Sequence, residues 1–395
     1  MKARHQTLFG LLGLALAALT SCTDAIFATV EKATKTATNT LSLTLNIYDI
    51  AVIPPVPPGG VYSVAAGGVF NGILSGSYPG TVAWTPNIND NSRPNNPPGT
   101  ACNALAYFSG TLYGGFVTSS GSTSFYQSSD GSNSFGPGHG TLITNPVVAG
   151  KQVTLLRAAG ANLFVGMATP TSGGFLFELD YFDGALWHTT NLTGLPYPIT
   201  GVGFDGTNYW AVSSPLALPS TSISTPAVVY STLIPSTFSA LTPSPSGSDQ
   251  VSGLFANSSG YVFLATRQSG IIWTSNGSVW NTISPDHVNG NTPVSYLCVA
   301  GPVGTDGSAP NDIYVAGSDG FGYYTLSTSG GGLSRYGNTT IILYTSSVSR
   351  ITVDTGGSPT YYNVLMGTNA NGLWRGVFDP TTSGQLASGQ SWVQE

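Results

Sequence analysis

The chain has 395 residues, 11 basic against 17 acidic side chains and a formal net charge of −6, so it carries no electrostatic footprint for nucleic acid. Only 7% of its residues are charged, against roughly 25% in an average protein, so Ser, Thr, Asn, Gly and Tyr must keep its surface wet. With 51 Gly, 26 Pro and 11% aromatic residues, it stays below the Gly/Pro content of low-complexity chains and has enough bulk for a core, which points to a folded all-β protein.

Lys2 and Arg4 precede an apolar run from Leu8 to Leu19. Twelve residues are too few to cross a bilayer as a helix, so residues 1–21 read as a signal peptide. Leu19-Thr20-Ser21-Cys22 follows and resembles the lipobox of bacterial lipoproteins. That resemblance implies cleavage before Cys22, acylation of its thiol and new amino group, and stable attachment to a membrane through several acyl chains. Lipoproteins retained in the inner membrane carry Asp directly after the Cys. Here Thr23 holds that position, so the resemblance implies the bacterial envelope, with the outer membrane favoured. Cleavage would leave nine basic residues, because Lys2 and Arg4 are removed.

Residues 22–59 form a distinct segment: a tether, a stretch that alternates like a strand ("LSLTLNIYDIAV", 41–52) and a stiff "PPVPPGG" linker (54–60). The strand is expected to lie beside the C-terminal "SWVQE" (391–395) as an outer strand that clasps the two ends together.

From residue 60 to 395 one pattern repeats. An apolar run, a small turn and a second run such as "YVFLAT" (261–266) are followed by Gly, a third run such as "GIIWTS" (270–275), and a short segment ending in an aromatic residue. Third runs begin near Gly80, Gly121, Gly174, Ala227, Gly270, Gly320 and Gly372, spaced 41 to 53 residues apart. Four short strands in a unit of this length predict a β-propeller, here of seven blades of four antiparallel strands. A blade packs between two neighbours, so its central strands should be apolar on both faces. "PLALPSTSISTP" (215–226) and "LTPSPSGSD" (241–249) read as surface loops. Cys102 and Cys298 fall in innermost strands of different blades and are expected to be buried, with a disulfide between them left open.

The turns between third and fourth strands carry "SSDGSNSF" (128–135), "DYFDGALW" (180–187), "TSNGSVW" (274–280) and "SGQSW" (388–392). These resemble degenerate Asp-boxes of the BNR type, a motif of sialidases and of many unrelated propellers. The resemblance implies a structural role, in which Asp130, Asp183 and Asn276 cap tight turns and the following aromatic packs between blades. Sialidase chemistry does not come with it. Glu178 and Glu395 are the only glutamates beyond residue 31, no Arg-Ile-Pro element precedes the repeats, and Arg157, Arg267, Arg350 and Arg375 occupy different blade positions.

His139, His188 and His287 lie in separate blades, each read as having no close carboxylate or Cys partner, so no metal site is expected. "GTDGSAPND" (304–312) has the composition of a Ca²⁺ loop without marked ligands and reads as a plain loop, so no cofactor is expected. The aromatic residues Trp84, Tyr126, Trp273, Tyr323, Tyr324 and Trp374 sit in predicted third strands, where packing between blades accounts for them. Arg267 and Gln268, at the exit of a second strand, and Arg157 and Arg350 remain as candidate ligand-binding residues. These features point to a lipid-anchored, non-enzymatic module that binds an envelope protein or a glycan. Two other readings stay open: a glycan hydrolase or lyase, and a factor for outer-membrane protein assembly.

Overall fold

A computed structural model describes residues 47–53, 62–68, 72–78, 85–86, 101–117, 123–128, 140–215, 225–284, 287–288, 292–293, 296–301, 312–317, 320–326, 333–336, 348–354, 362–368, 372–379 and 393–394. They form seven four-stranded antiparallel sheets and one two-stranded ribbon. Sheet one contains β1 (Ile47–Ile53), β2 (Tyr62–Gly68), β3 (Gly72–Tyr78) and β4 (Thr85–Pro86). Sheet two contains β5 (Ala101–Phe108), β6 (Thr111–Val117), β7 (Thr123–Ser128) and β8 (Gly140–Leu142). Sheet three contains β9 (Gln152–Ala159), β10 (Asn162–Thr171), β11 (Gly174–Phe182) and β12 (Trp187–Thr189). Sheet four contains β13 (Ile199–Phe204), β14 (Tyr209–Ser213), β15 (Val228–Thr232) and β16 (Ser239–Ala240). Sheet five contains β17 (Val251–Ala256), β18 (Val262–Thr266), β19 (Ile271–Thr274) and β20 (Asn281–Ile283). After the ribbon of β21 (His287–Val288) and β22 (Thr292–Pro293) comes sheet six: β23 (Tyr296–Ala300), β24 (Asp312–Gly317), β25 (Gly320–Leu326) and β26 (Leu333–Tyr336). Sheet seven contains β27 (Val348–Asp354), β28 (Tyr362–Thr368), β29 (Leu373–Phe378) and β30 (Val393–Gln394).

The first strands pack in cyclic order, β1 on β5, β5 on β9 and so on to β27, which packs back on β1. The chain is therefore a seven-bladed β-propeller, with first strands innermost and fourth strands at the rim. Cores lie between blades. Leu155 and Phe164 of blade three meet Ile199 and Ala211 of blade four, and Phe255 and Phe263 of blade five meet Val299 and Val315 of blade six. Second strands such as β14 and β18 are buried along their whole length, as a sheet covered on both faces requires.

One local device recurs in every blade. Each pairing of a first with a second strand carries a bulge at the second residue of the inner strand or next to it: Tyr48, Asn103, Thr154, Thr200, Ser252, Leu297 and Ser349 are the extra residues. The extra hydroxyl can bridge blades. Thr200 Oγ1 donates to the Val251 carbonyl at 2.8 Å, and Ser252 Oγ donates to the Tyr296 carbonyl at 2.5 Å. Beside the bulge, small residues on second strands admit the neighbouring blade. A Cβ on Gly115 would lie 2.6 Å from Val153 Cβ, and one on Gly367 would lie 2.7 Å from Ile47 Cγ2.

The ends differ from the expected clasp. Strand β1 is the innermost strand of blade one, paired with β2 from Ile47↔Gly68 to Ile53↔Ser63, so this blade begins before residue 60. Strand β30 pairs with β29 inside blade seven. No strand is shared between the first and last blades among the described residues. The ring closes by packing of β1 on β27 and β28. The third strand of blade one is Gly72–Tyr78, and "GTVAWTPN" leads instead into its short fourth strand. The other six third runs coincide with β7, β11, β15, β19, β25 and β29. Cys102 and Cys298 are reduced, buried thiols in the inner strands of blades two and six, which are not neighbours.

Candidate interaction surfaces

Antiparallel order gives the propeller two distinct faces. Turns from first to second and from third to fourth strands lie on one, here the lower face. Turns from second to third strands and the connections between blades lie on the upper face.

The lower face carries the Asp-box turns. Asp183 Oδ1 accepts from the backbone N–H groups of Ala185 at 2.8 Å and Leu186 at 2.7 Å, while Gly184 takes φ +96°. These bonds, with that from His188, hold the exposed Asp183 carboxyl down at about 2. His188 Nε2 lies 2.7 Å from Asp183 Oδ2, so this histidine does have a close carboxylate, five residues back in its own turn. Asn276 Oδ1 accepts in the same way from Ser278 and Val279, both at 2.9 Å, beside Gly277 at φ +71°. The aromatic residue after each turn packs on the preceding blade. Trp187 stands edge-on to Phe125 at 5.5 Å between ring centroids, and Trp280 meets Trp210 at 5.8 Å. In blade four Phe238 meets Phe164 at 6.3 Å in the same relation, although its turn is built on Thr232. Asp130, Trp84, His139 and "SGQSW" lie outside the described residues, and the side chains of His287, Tyr323 and Tyr324 are not described. Tyr126, Trp273 and Trp374 lie in third strands; Trp273 is buried in the core shared by blades five and six.

The residue next to these aromatics points outward. Leu186 and Val279, with Leu233 and Ile234 in the corresponding turn of blade four, are 60–67% exposed. Three consecutive blades thus set aliphatic side chains along the lower rim. A further Asp turn, "FDGTNYW" (204–210), joins β13 to β14. Asp205 Oδ1 accepts from Thr207 and Asn208 N–H, and Oδ2 accepts from Trp210 Nε1 at 2.7 Å. Its Asp-Gly-x-x-x-Trp spacing was open to reading in the sequence.

The four candidate ligand-binding residues do not form one cluster. Arg157, on inner strand β9, donates from Nη1 to Asp49 Oδ2 at 2.9 Å. Arg350 is on inner strand β27, and its side chain is not described. Arg267 and Gln268 form the upper-face turn between β18 and β19. There the Gln268 and Ser269 N–H groups donate to Asp249 Oδ2 at 2.9 and 2.6 Å. Burial pushes the Arg267 guanidinium below its ordinary value, and the Asp249 charge opposes that shift.

Sequence reasoning missed a buried carboxylate between blades two and three. Lys151, on the connection into β9, places Nζ 2.6 Å from Glu178 Oε1 and 4.0 Å from Asp180 Oδ2. Burial and then the Glu178 charge raise the Asp180 carboxyl to about 6. Glu178 stands out in the sequence only for the rarity of glutamate, and both carboxylates lie in the apolar run "GFLFELDYF", where nothing local marks them as a pair with Lys151.

No family model matches the chain, and no curated protein matches it. In structure it is similar to 494 solved chains, a breadth that speaks for the fold and not for one activity. One of them, the structure titled "YCF48 bound to D1 peptide", aligns with a TM-score of 0.54 at 16% identity over 86% of this chain and 94% of that chain.

Proposed function

We propose that the protein is a lipid-anchored binding module of the bacterial envelope that takes a polypeptide partner on its lower rim and catalyses no reaction. The observation that carries this reading is the row of exposed Leu186, Leu233, Ile234 and Val279 on three consecutive blades. Isolated exposed apolar residues are common, but a row set out by one repeated turn is the kind of patch that marks an interaction site. Aliphatic side chains offer sugars neither stacking nor hydrogen bonds, so the row favours a protein over a glycan. The bound peptide in the YCF48 structure supports the same class of partner for a propeller of this kind.

Attachment rests on Cys22, which lies outside the described residues, with Thr23 favouring the outer membrane. Mass spectrometry of the purified chain should find acyl groups on Cys22, and fractionation should place the chain with outer-membrane lipids. Leu233→Glu/Ile234→Glu should release a co-purifying protein while leaving the melting temperature within a few degrees of wild type. Equal recovery of every partner by wild type and variant would refute the rim as the binding surface.

A further inference from the structure

Among the described residues of the upper face, one hairpin stands out from the ring. Strand β10 pairs with β11 as far as Thr171↔Gly174, but its pairing with the inner strand β9 ends at Gln152↔Ala168. Thr169–Thr171 and Gly174–Leu176 therefore form a two-stranded tip without an inner neighbour, about 10 Å long at the usual rise per residue. In blades five and seven the same turn closes at once. There the Thr266 and Thr368 N–H groups donate to the Gly270 and Gly372 carbonyls, both at 3.0 Å.

The tip exposes two large apolar side chains beside Thr169, Thr171 and Ser172. Phe175 is 50% and Leu176 46% exposed, and successive residues of a strand point to opposite faces, so both sides of the ribbon present apolar surface. The stretch "TPTSGGFLF" (169–177) holds no charge. Phe177, whose ring lies 6.4 Å from that of Phe175, is held at the base by the Phe177↔Leu195 bridge.

The chain also enters the propeller on this face. Ile47, the first residue of β1, pairs with Gly68, and Gly68 pairs with Gly72 across the upper-face turn. Residues 23–46 lead back from there to Cys22, a distance of about 80 Å if fully extended and less in any other conformation.

We propose that the β10–β11 tip is a second membrane contact that inserts Phe175 and Leu176 into the lipid interface beside the acylated N-terminus. This rests on the lipid-anchor reading above. The acyl chains supply the affinity, and the uncharged wedge sets orientation: the upper face lies against the bilayer and the Leu186–Val279 rim faces away from it. An acidic chain with an uncharged wedge gains nothing from anionic lipid, so the contact is to the acyl region of a neutral bilayer.

The test uses the full-length acylated chain on phosphatidylcholine vesicles, with an environment-sensitive dye on Phe175→Cys or, on the opposite face, on Leu186→Cys. The remaining thiols at Cys102 and Cys298 are buried, which directs the dye. The dye at 175 should shift to the blue and be quenched by spin labels in the acyl chains, while the dye at 186 should report water. A water-like dye at 175 on a chain that floats with the vesicles overturns the wedge and leaves the anchor standing. A chain without acyl mass on Cys22 that does not float overturns the anchor, and the wedge as proposed falls with it.

Discussion

Asp49 in blade one and Arg157 in blade three meet across the inner strand of blade two. Arg157 Nη1 donates to Asp49 Oδ2 at 2.9 Å, and the same oxygen accepts from Leu105 N–H of blade two at 2.9 Å. The Asp49 side chain is 3% exposed and that of Arg157 20%. One carboxylate thus ties three blades together near the seam where the ring closes. Asp49→Ala would strand the guanidinium and the Leu105 N–H together, and should lower unfolding free energy by about 3 kcal/mol. Arg157→Ala removes this charged contact from the buried carboxylate and should cost a similar amount. The double variant should lose much less than the sum, which denaturant unfolding of all four chains would measure.

Ring closure also depends on the close approach of Gly367 to Ile47. Gly367→Ala would push a methyl group into Ile47, and should destabilise by about 1–3 kcal/mol. Gly115→Ala, facing Val153, should behave alike. Gly173→Ala, with nothing within 4 Å, should leave the melting temperature nearly unchanged. Equal effects at all three positions would show that close packing between blades is not the cause.

Asp180 makes stability depend on pH. Its carboxyl is raised to about 6, so the folded chain holds a proton there that the unfolded chain releases near 4. The stability this provides is complete below about pH 4 and is lost as pH rises through 6. Asp180→Asn keeps an oxygen for the Thr190 N–H and removes the titration. Relative to wild type the variant should gain about 2 kcal/mol between pH 4 and pH 7. Parallel pH profiles for the two chains would contradict this assignment.

Asn276 closes its turn with two backbone bonds, and Asn276→Ala should lower stability by about 1 kcal/mol. Asp183 closes the equivalent turn as a carboxylate whose pKa is depressed to about 2. Its contribution is present above about pH 4 and disappears as pH falls through 2. Asp183→Asn should therefore differ from wild type at neutral pH and converge with it in acid, as thermal melts at both ends of that range would show.

The two buried thiols give a simple check on blade order. Cys102 and Cys298, in inner strands of blades two and six, should resist a thiol reagent in the native chain and both react on unfolding. A chain that shows only unreactive sulfur after denaturation without reductant would contain a disulfide that this order of blades does not allow.

Strand order was legible wherever a blade spends bulky residues on its middle strands, as in "YVFLAT" and "GIIW". The third strand of blade one differs from the sequence expectation because "YSVAAGG" and "GILSGSY" are small and weakly apolar, while "GTVAWTPN" beside them carries the Trp. The inner strand of this blade looks separate in the sequence because "PPVPPGG" has the composition of a linker between segments, yet it connects two strands of one sheet. The Asp-box turns were readable because each is local, with donors two and three residues from the acceptor. Asp49 and Arg157 lie 108 residues apart, and only the cyclic order of the blades brings them together. The outward-pointing Leu186 and Val279 lie within the Asp-box-like turns "DYFDGALW" and "TSNGSVW". Their shared direction becomes visible only once the turns are fixed and the following Trp is committed to the neighbouring blade.

An envelope polypeptide is proposed to sit on the lower rim. A photo-reactive amino acid placed at Leu186, Ile234 and Val279 of the full-length chain in intact cells tests it most directly, with Phe175 on the upper face as the comparison. An adduct with one and the same protein is expected from the three rim positions, and none with that protein from position 175. Rim positions that yield no protein adduct, or that yield the same pattern as position 175, would contradict it.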